Sequence, residues 1–229
     1  MHIGRNNPRY EYDMGRVVLS EVEEEKDVGV VIHKSLKPER QCEGATSTAL
    51  KVQQIDQHFH LRNEQVFVQL YKQYVRPHIE FSTPAWSPWL RADVDCIEKV
   101  QQKAVNMVAG LSGSCYLEKC KELKIETLED RRCRADLVQT FKIIRGMDEV
   151  VPETLFRFRS NNARTRQAGD PLHLQKERTR LDLRKYSYTQ RVVGDWNGKS
   201  AEDNMGSLAR FKKAVGNSAE TGVVTAGRN

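Results

Sequence analysis

No run of apolar residues in the sequence approaches the roughly 20 that a membrane-spanning helix needs. Met1-His2-Ile3-Gly4-Arg5 also lacks the apolar core of a signal peptide. The expectation is an intracellular protein, cytoplasmic or nuclear, with no membrane partner. Cys-x-x-Cys is missing as well. The five cysteines (Cys42, Cys96, Cys115, Cys120 and Cys133) are odd in number and scattered, which argues against a disulfide framework and offers no zinc-site spacing. They read as buried or idle thiols. Neither a phosphate-cradling Gly-x-x-x-x-Gly-Lys-Ser/Thr nor a Gly-x-Ser-x-Gly nucleophile turn occurs, and Ser112-Gly113-Ser114-Cys115 has no assigned base. No cofactor and no catalytic residue are expected from these patterns.

Two close pairs of metal-ligating residue types remain. Asp93-Val94-Asp95 opens a helical pattern, where carboxylates complement the helix dipole without any metal. His58-x-His60 falls near a helix C-terminus, where such side chains meet terminal carbonyls. Neither is assigned to a metal.

What the chain does have is a local excess of positive charge. Arg157 to Arg191 holds ten basic residues against three acidic ones, so +7 of the net +6 lies there and the remainder is close to neutral at −1. Eight of the ten are arginine, whose planar fork suits phosphate oxygens. Such clustering is the electrostatic footprint of a polyanion contact. Arg178, Arg180, Arg184 and Lys185 interleave with Leu181, Leu183, Tyr186 and Tyr188, as in an amphipathic element with one buried edge, one phosphate-facing edge and a tyrosine free to stack. A tyrosine and leucines at these positions are equally compatible with a core.

Periodicity predicts a mainly α protein that opens with a small N-terminal β-hairpin or sheet. Val17-Val18-Leu19 and, above all, Val28 to Ile32 read as strands. After Lys37-Pro38 the period becomes helical: Cys42, Ala45, Ala49, Val52 and Phe59 form one stripe, and a helix N-capped by Asn63 carries Val66, Phe67, Leu70, Tyr71, Tyr74 and Val75 up to a kink at Arg76-Pro77. A third helix from Asp93 carries Ile97, Val100 and Ala104 and ends at Gly110. A fourth starts at the Thr127/Asp130 capping box and buries Cys133, Leu137, Phe141 and Ile144. The expected organisation is 1–36, β; 37–146, helical; 147–170, linker; 171–215, a basic α/β region; and 216–229, a disordered tail.

The order of "KDVGVVIHKSLKPERQCEGATSTA", "LYKQYVRPHIEFSTPAWSPW", "DVDCIEKVQQKAVNMVAG" and "LKIETLEDRRCRADLVQTFKIIRG" resembles the C-terminal part of the reverse transcriptases of non-LTR (LINE-type) retrotransposons. The likeness runs from Met1 to about residue 215. Its most specific pieces are Tyr74-Val75-Arg76-Pro77-His78-Ile79-Glu80 and Ile97-Glu98-Lys99-Val100-Gln101, with Tyr188 to Asn197 resembling the family's C-terminal pattern. The resemblance implies that 1–36 is a palm remnant and that Lys26-Asp27-Val28-Gly29-Val30, with Val for the family's Leu, is the primer-grip hairpin. The helices of 37–146 would then be the thumb. The implied nucleic-acid-binding residues are Lys26, Val28, Gly29 and Val30, to which the basic region adds Arg178, Arg180, Arg184, Lys185, Tyr188 and Arg191. The implied partner is RNA or DNA, as a primer-template duplex.

The family's catalytic Asp and its Asp-Asp pair after an aromatic residue are not in this sequence, so the implied protein is a truncated, catalytically incomplete relative of an RNA-directed DNA polymerase and not an enzyme as it stands. Apolar surface left by the missing palm would favour self-association. The alternative reading is a helical protein-interaction module, or a decayed open reading frame, without nucleic-acid function.

Overall fold

The structure is a computed structural model and describes residues 1–4, 6–56, 64–108, 113–159, 172–199 and 206–220. The expected Asn63 cap, the His58/His60 pair, Gly110, Ser112, residues 160–170 of the expected linker and residues 221–229 lie outside the described residues. The protein is mainly helical with a small N-terminal antiparallel β region. None of the described helices is long and apolar enough to cross a membrane. The chain divides into two compact units, Met1–Ser82 with Trp86–Leu123, and Thr83–Ala85 with Lys124–Asn229.

The first unit opens with two separate hairpins. Strands β1 (Asp13–Met14) and β2 (Val17–Val18) pair across a two-residue Gly15-Arg16 loop, and Gly15 takes the positive φ of 73° that the first position of a type II′ turn requires. Strands β3 (Glu24–Asp27) and β4 (Val30–His33) pair with Asp27 opposite Val30 and Lys26 opposite Val31. The expected single strand from Val28 to Ile32 is therefore corrected. Val28 and Gly29 form the turn, with φ of 44° and 87°, because a two-residue type I′ loop needs positive φ at both positions.

Only Gly29 adopts that conformation freely. A Cβ there would also meet the Phe81 ring at 3.0 Å, so the glycine serves both the turn and the close approach of an aromatic side chain. Val28 pays the usual left-handed penalty of about 1 kcal/mol or more and is 86% exposed at the tip. The hairpin is anchored at its other strand: Val30 is buried, and the Val31 N–H donates to Gln41 Oε1 at 2.8 Å.

Helix α1 (Glu39–Asp56) presents the small buried residues Cys42, Ala45 and Ala49, which let it pack closely on the α5 stripe (Arg91–Asn106) of Ile97, Val100 and Ala104. Helix α2 (Glu64–Leu70) runs through a π-helical turn, Tyr71–Val75, into α3 (Arg76–Glu80). Pro77 lacks an N–H and its ring crowds the preceding turn. The chain absorbs this with a wider turn, in which the Arg76 N–H reaches Tyr71 O five residues back, rather than with a break. The extra residue shifts the buried stripe to Tyr71, Val75 and Ile79 and turns Tyr74 outward, against expectation.

A polar chain crosses this unit. The Tyr71 hydroxyl donates to Gln101 Oε1 (2.7 Å), Gln101 Nε2 to the Tyr116 hydroxyl (3.0 Å), and that hydroxyl to Glu98 Oε1 (2.6 Å). Burial, and the Glu98 carboxylate next to it, push the Tyr116 phenol well above its ordinary range, so it stays a neutral donor. Tyr116 opens α6 (Tyr116–Glu122), where Glu118 accepts the Cys115 N–H at 2.8 Å.

Helix α4 (Thr83–Trp86) precedes α5. Asp93 and Asp95 lie in the first turns of α5, and two residues apart on a helix they point in different directions. Asp95 pairs with Arg91 at 3.0 Å, whereas Asp93 is buried with Oδ2 unpartnered. Burial first, then Glu39 and Glu43, raise the Asp93 carboxyl above the usual range. Between the unfolded chain's ordinary value and this raised one, the folded state holds a proton that the unfolded chain has lost, so stability falls as pH rises through that window. Asp93→Asn should therefore stabilise the protein at neutral pH and confer no advantage at pH below the ordinary Asp range. Urea unfolding across pH measures both.

The second unit is built on α7 (Leu128–Ile144). Thr127 Oγ1 accepts the Asp130 N–H at 3.1 Å. The short Asp130 side chain meets the threonine hydroxyl (2.7 Å) instead of reaching back to the cap's backbone. Helix α8 (Pro152–Leu155) leads to an antiparallel bridge between Phe158 and Leu174, then α9 (Asp182–Lys185), α10 (Tyr188–Asn197) and α11 (Leu208–Glu220). Leu137, Phe141, Phe156, Leu174, Val192, Val193, Trp196, Phe211 and Val215 form one core, with Phe141 stacked on Phe211 at 4.6 Å.

The boundaries thus differ from the sequence expectation. Helix α7 shares its core with the basic region instead of closing the thumb-like helices, because its apolar stripe is covered by α10 and α11. The last helix continues through Gly216 to Glu220, where a tail was expected.

Candidate nucleic-acid interface

The basic surface begins with an alternating sequence. In Phe156-Arg157-Phe158-Arg159 the phenylalanines face the core, and the bridge at Phe158 and Leu174 sends Arg157 and Arg159 to the opposite, solvent side. Two backbone bonds fix the register, Arg159 N–H to His173 O at 2.8 Å and Gln175 N–H to Arg157 O at 2.7 Å.

Helix α10 holds the rest of the extended segment with side chains rather than with a second strand. Trp196 Nε1 donates to Leu172 O (2.9 Å), and Asn197 both accepts the Leu174 N–H and donates to its carbonyl, each at 2.9 Å. Gln190 Oε1 accepts the Glu177 N–H at 2.9 Å. These residues satisfy backbone groups that a sheet would otherwise have paired. Much of the Tyr188 to Asn197 sequence pattern is therefore occupied in supporting the basic segment.

On that support Arg157, Arg159, Lys176, Arg178, Arg180, Arg184 and Lys185 are exposed, against the carboxylates of Glu177 and Asp182. Glu177 ties Arg157 (3.0 Å) to Arg184 (3.1 Å) and so joins the ladder arginines to those of α9. Arg159, Lys176, Arg178 and Arg180 have no ion pair among the described residues. Lys185 lies over the Tyr186 ring, 4.9 Å from its centre, and Leu181 stays 70% exposed. A flexible, solvated row of cations of this kind can follow a phosphate backbone without selecting a sequence.

Compared with protein-family models, curated proteins and solved structures, the chain matches none.

Two of the residues assigned to this surface from the sequence are instead held against the core, Arg191 with its side chain nearly buried and Tyr188 partly buried. Arg191 grips Asp136 with two bonds, Nε to Oδ2 at 2.7 Å and Nη2 to Oδ1 at 2.9 Å, and also donates to Pro84 O (2.8 Å) and Tyr186 O (3.2 Å). Its side chain is 9% exposed and that of Asp136 is 3% exposed, so this guanidinium is withdrawn from any phosphate. Tyr188 packs edge-on to Phe156, at 5.8 Å between centres, and its hydroxyl meets Thr140 Oγ1 at 2.8 Å. Thr140 gives its own proton to Asp136 O (2.9 Å), which makes Tyr188 the donor; burial pushes its phenol up, and its ring is partly buried against the core.

The hairpin residues Lys26, Val28, Gly29 and Val30 belong to the other compact unit. The β-hairpin implied by the resemblance is present, yet its exposed strand β3 is Glu-Glu-Lys-Asp, and Glu23 pairs with Lys34 beside it. A strand of this sign repels phosphate. What the tip offers is the apolar Val28 and backbone groups, with Lys26 as its cation, while Val30 is buried beneath it.

Arg157 and Arg159 were counted in the basic segment but not assigned to the surface. The Phe-Arg-Phe-Arg alternation was the signal that identifies them, since period two places both arginines on one face.

Proposed function

We propose that this protein is a nucleic-acid-holding relative of the non-LTR reverse transcriptases, which grips a primer-template duplex through its basic C-terminal unit. The observation that carries this reading is the exposed row of cations from Arg157 to Lys185, largely without ion pairs and supported by amide side chains of α10. Evolutionary drift in a surface of no function gives little reason for a segment to keep seven exposed cations against two carboxylates. The likeness of residues 74–80, 97–101 and 188–197 to the family supports the choice of partner.

Binding to a fluorescent primer-template duplex, measured across a salt series, tests the reading. The logarithm of the association constant should fall linearly with that of salt. Arg178→Ala with Arg180→Ala should lessen the slope by about 2 while leaving unfolding within about 0.5 kcal/mol of wild type, since neither side chain holds the fold. Folded protein that binds no duplex, or binds without salt dependence, overturns the proposal.

A further inference from the structure

The first hairpin is left with little to support it. Tyr10, Tyr12, Met14, Val17, Val18 and Leu19 are all at least half exposed, Met14 to 74% and Val17 to 68%. Two strands alone in water are marginally stable at best, and a third strand is what such a ladder ordinarily needs. Among the described residues no strand pairs with either outer edge of β1–β2.

The register states what each edge presents. Met14 and Val17 close the two-residue loop as a hydrogen-bonded pair, and the next inward bond is the Leu19 N–H to Tyr12 O at 2.8 Å. Antiparallel ladders alternate, so the intervening pair, Asp13 and Val18, directs its backbone N–H and C=O outward. The outer edge of β2 therefore offers Val18, flanked by Val17 and Leu19, with no charge between Arg16 and Glu21. That is the kind of edge natural proteins usually protect.

From this we infer that the β2 edge pairs with the same edge of a second copy, antiparallel about a twofold axis at Val18. In that register Val18 meets Val18 of the second copy through two reciprocal backbone bonds. Val17 lies across from Leu19 and Arg16 across from Ser20, so apolar residues face each other and no like charges oppose. The outer edge of β1 fails the same test. Its outward groups belong to Glu11 and Asp13, and every twofold register that joins them sets Glu11 or Asp13 opposite a carboxylate of the second copy. Charge thus selects one edge of the two and one occupant, giving a four-stranded sheet in the order β1-β2-β2-β1. This contact is independent of the basic surface and stands or falls without it.

Sedimentation of the nuclease-treated full chain across a micromolar concentration series tests it. The wild type should be a reversible dimer. Val18→Lys, which opposes two ammonium groups on the axis, and Val18→Pro, which removes the outward N–H, should each raise the dissociation constant by about tenfold or more. The helical circular dichroism should be unchanged, because Val18 is 62% exposed and lies in no helix, and Glu11→Lys on the other edge should leave the dimer intact. A wild type that remains monomeric overturns the inference. So does a dimer indifferent to both Val18 variants, or one that only Glu11→Lys dissolves.

Discussion

Replacing Arg191 by leucine should destabilise the protein by about 3–5 kcal/mol, the usual consequence of removing one member of a buried ion pair. Asp136 is 2% exposed on α7 and has both carboxylate oxygens in the grip of the guanidinium, which also satisfies two backbone carbonyls. Removing Arg191 takes the two-bond partner from a carboxylate where water does not reach, and the carbonyls of Pro84 and Tyr186 lose this donor. The double variant Asp136→Leu with Arg191→Leu should recover most of the loss, because the desolvation cost disappears with the charge. Urea unfolding of the four proteins closes the cycle. Equal losses for the single and double variants would show that the pair contributes little beyond packing.

The same variant separates support from contact. Under conditions where Arg191→Leu remains folded, its duplex affinity should keep the wild-type salt slope, since a buried guanidinium displaces no counterions. Arg178→Ala with Arg180→Ala should do the reverse, lessening the slope and sparing the stability. A slope that falls by about 1 with Arg191→Leu would return this residue to the interface.

Trp196→Ala should cost a similar 3–5 kcal/mol, as is usual for a large aromatic deleted from a packed core. The indole is 0% exposed, lies 5.8 Å from the Phe211 ring and donates to Leu172 O at 2.9 Å. Its loss opens a cavity among α7, α10 and α11 and leaves a carbonyl of the basic segment without its donor. Trp196→Phe keeps most of the apolar volume and gives up that hydrogen bond, so it should fall between the two. A lower midpoint in thermal unfolding, with the tryptophan emission change assigned by Trp196→Phe, reads the effect. A Trp196→Ala loss below about 1 kcal/mol would mean that the site collapses around the deletion.

Much of the helical framework was legible because it rests on local rules. Thr127 and Asp130 announce the start of α7, and the period of Cys42, Ala45 and Ala49 fixes the buried face of α1. The steps of Ile97, Val100 and Ala104 do the same for α5. Gly29 was conspicuous for the same reason. Its partner in the turn was not, because valine is a strand former by propensity and gives no warning that it will be held at φ 44°. The turn was decided by pairing, since Lys26 and Val31 can face each other only if Val28 and Gly29 reverse the chain.

The candidate surface divides along the same line. Its charge is a property of the sequence, and the alternation in Phe156-Arg157-Phe158-Arg159 already places two arginines on one face. Which cations remain available is not. Arg180 and Arg191 are alike as letters in a basic run, yet one stays in water and the other is paired with Asp136, 55 residues away along the chain. By itself the sequence determined most of the longer helices, most of their buried positions and the sign of the C-terminal region, all of which follow from spacing along the chain. Only the tertiary structure decided that α7 belongs with the basic region, that Tyr188 and Arg191 pack against the core and that no strand among the described residues covers the β2 edge, because burial and pairing depend on what packs across from each residue.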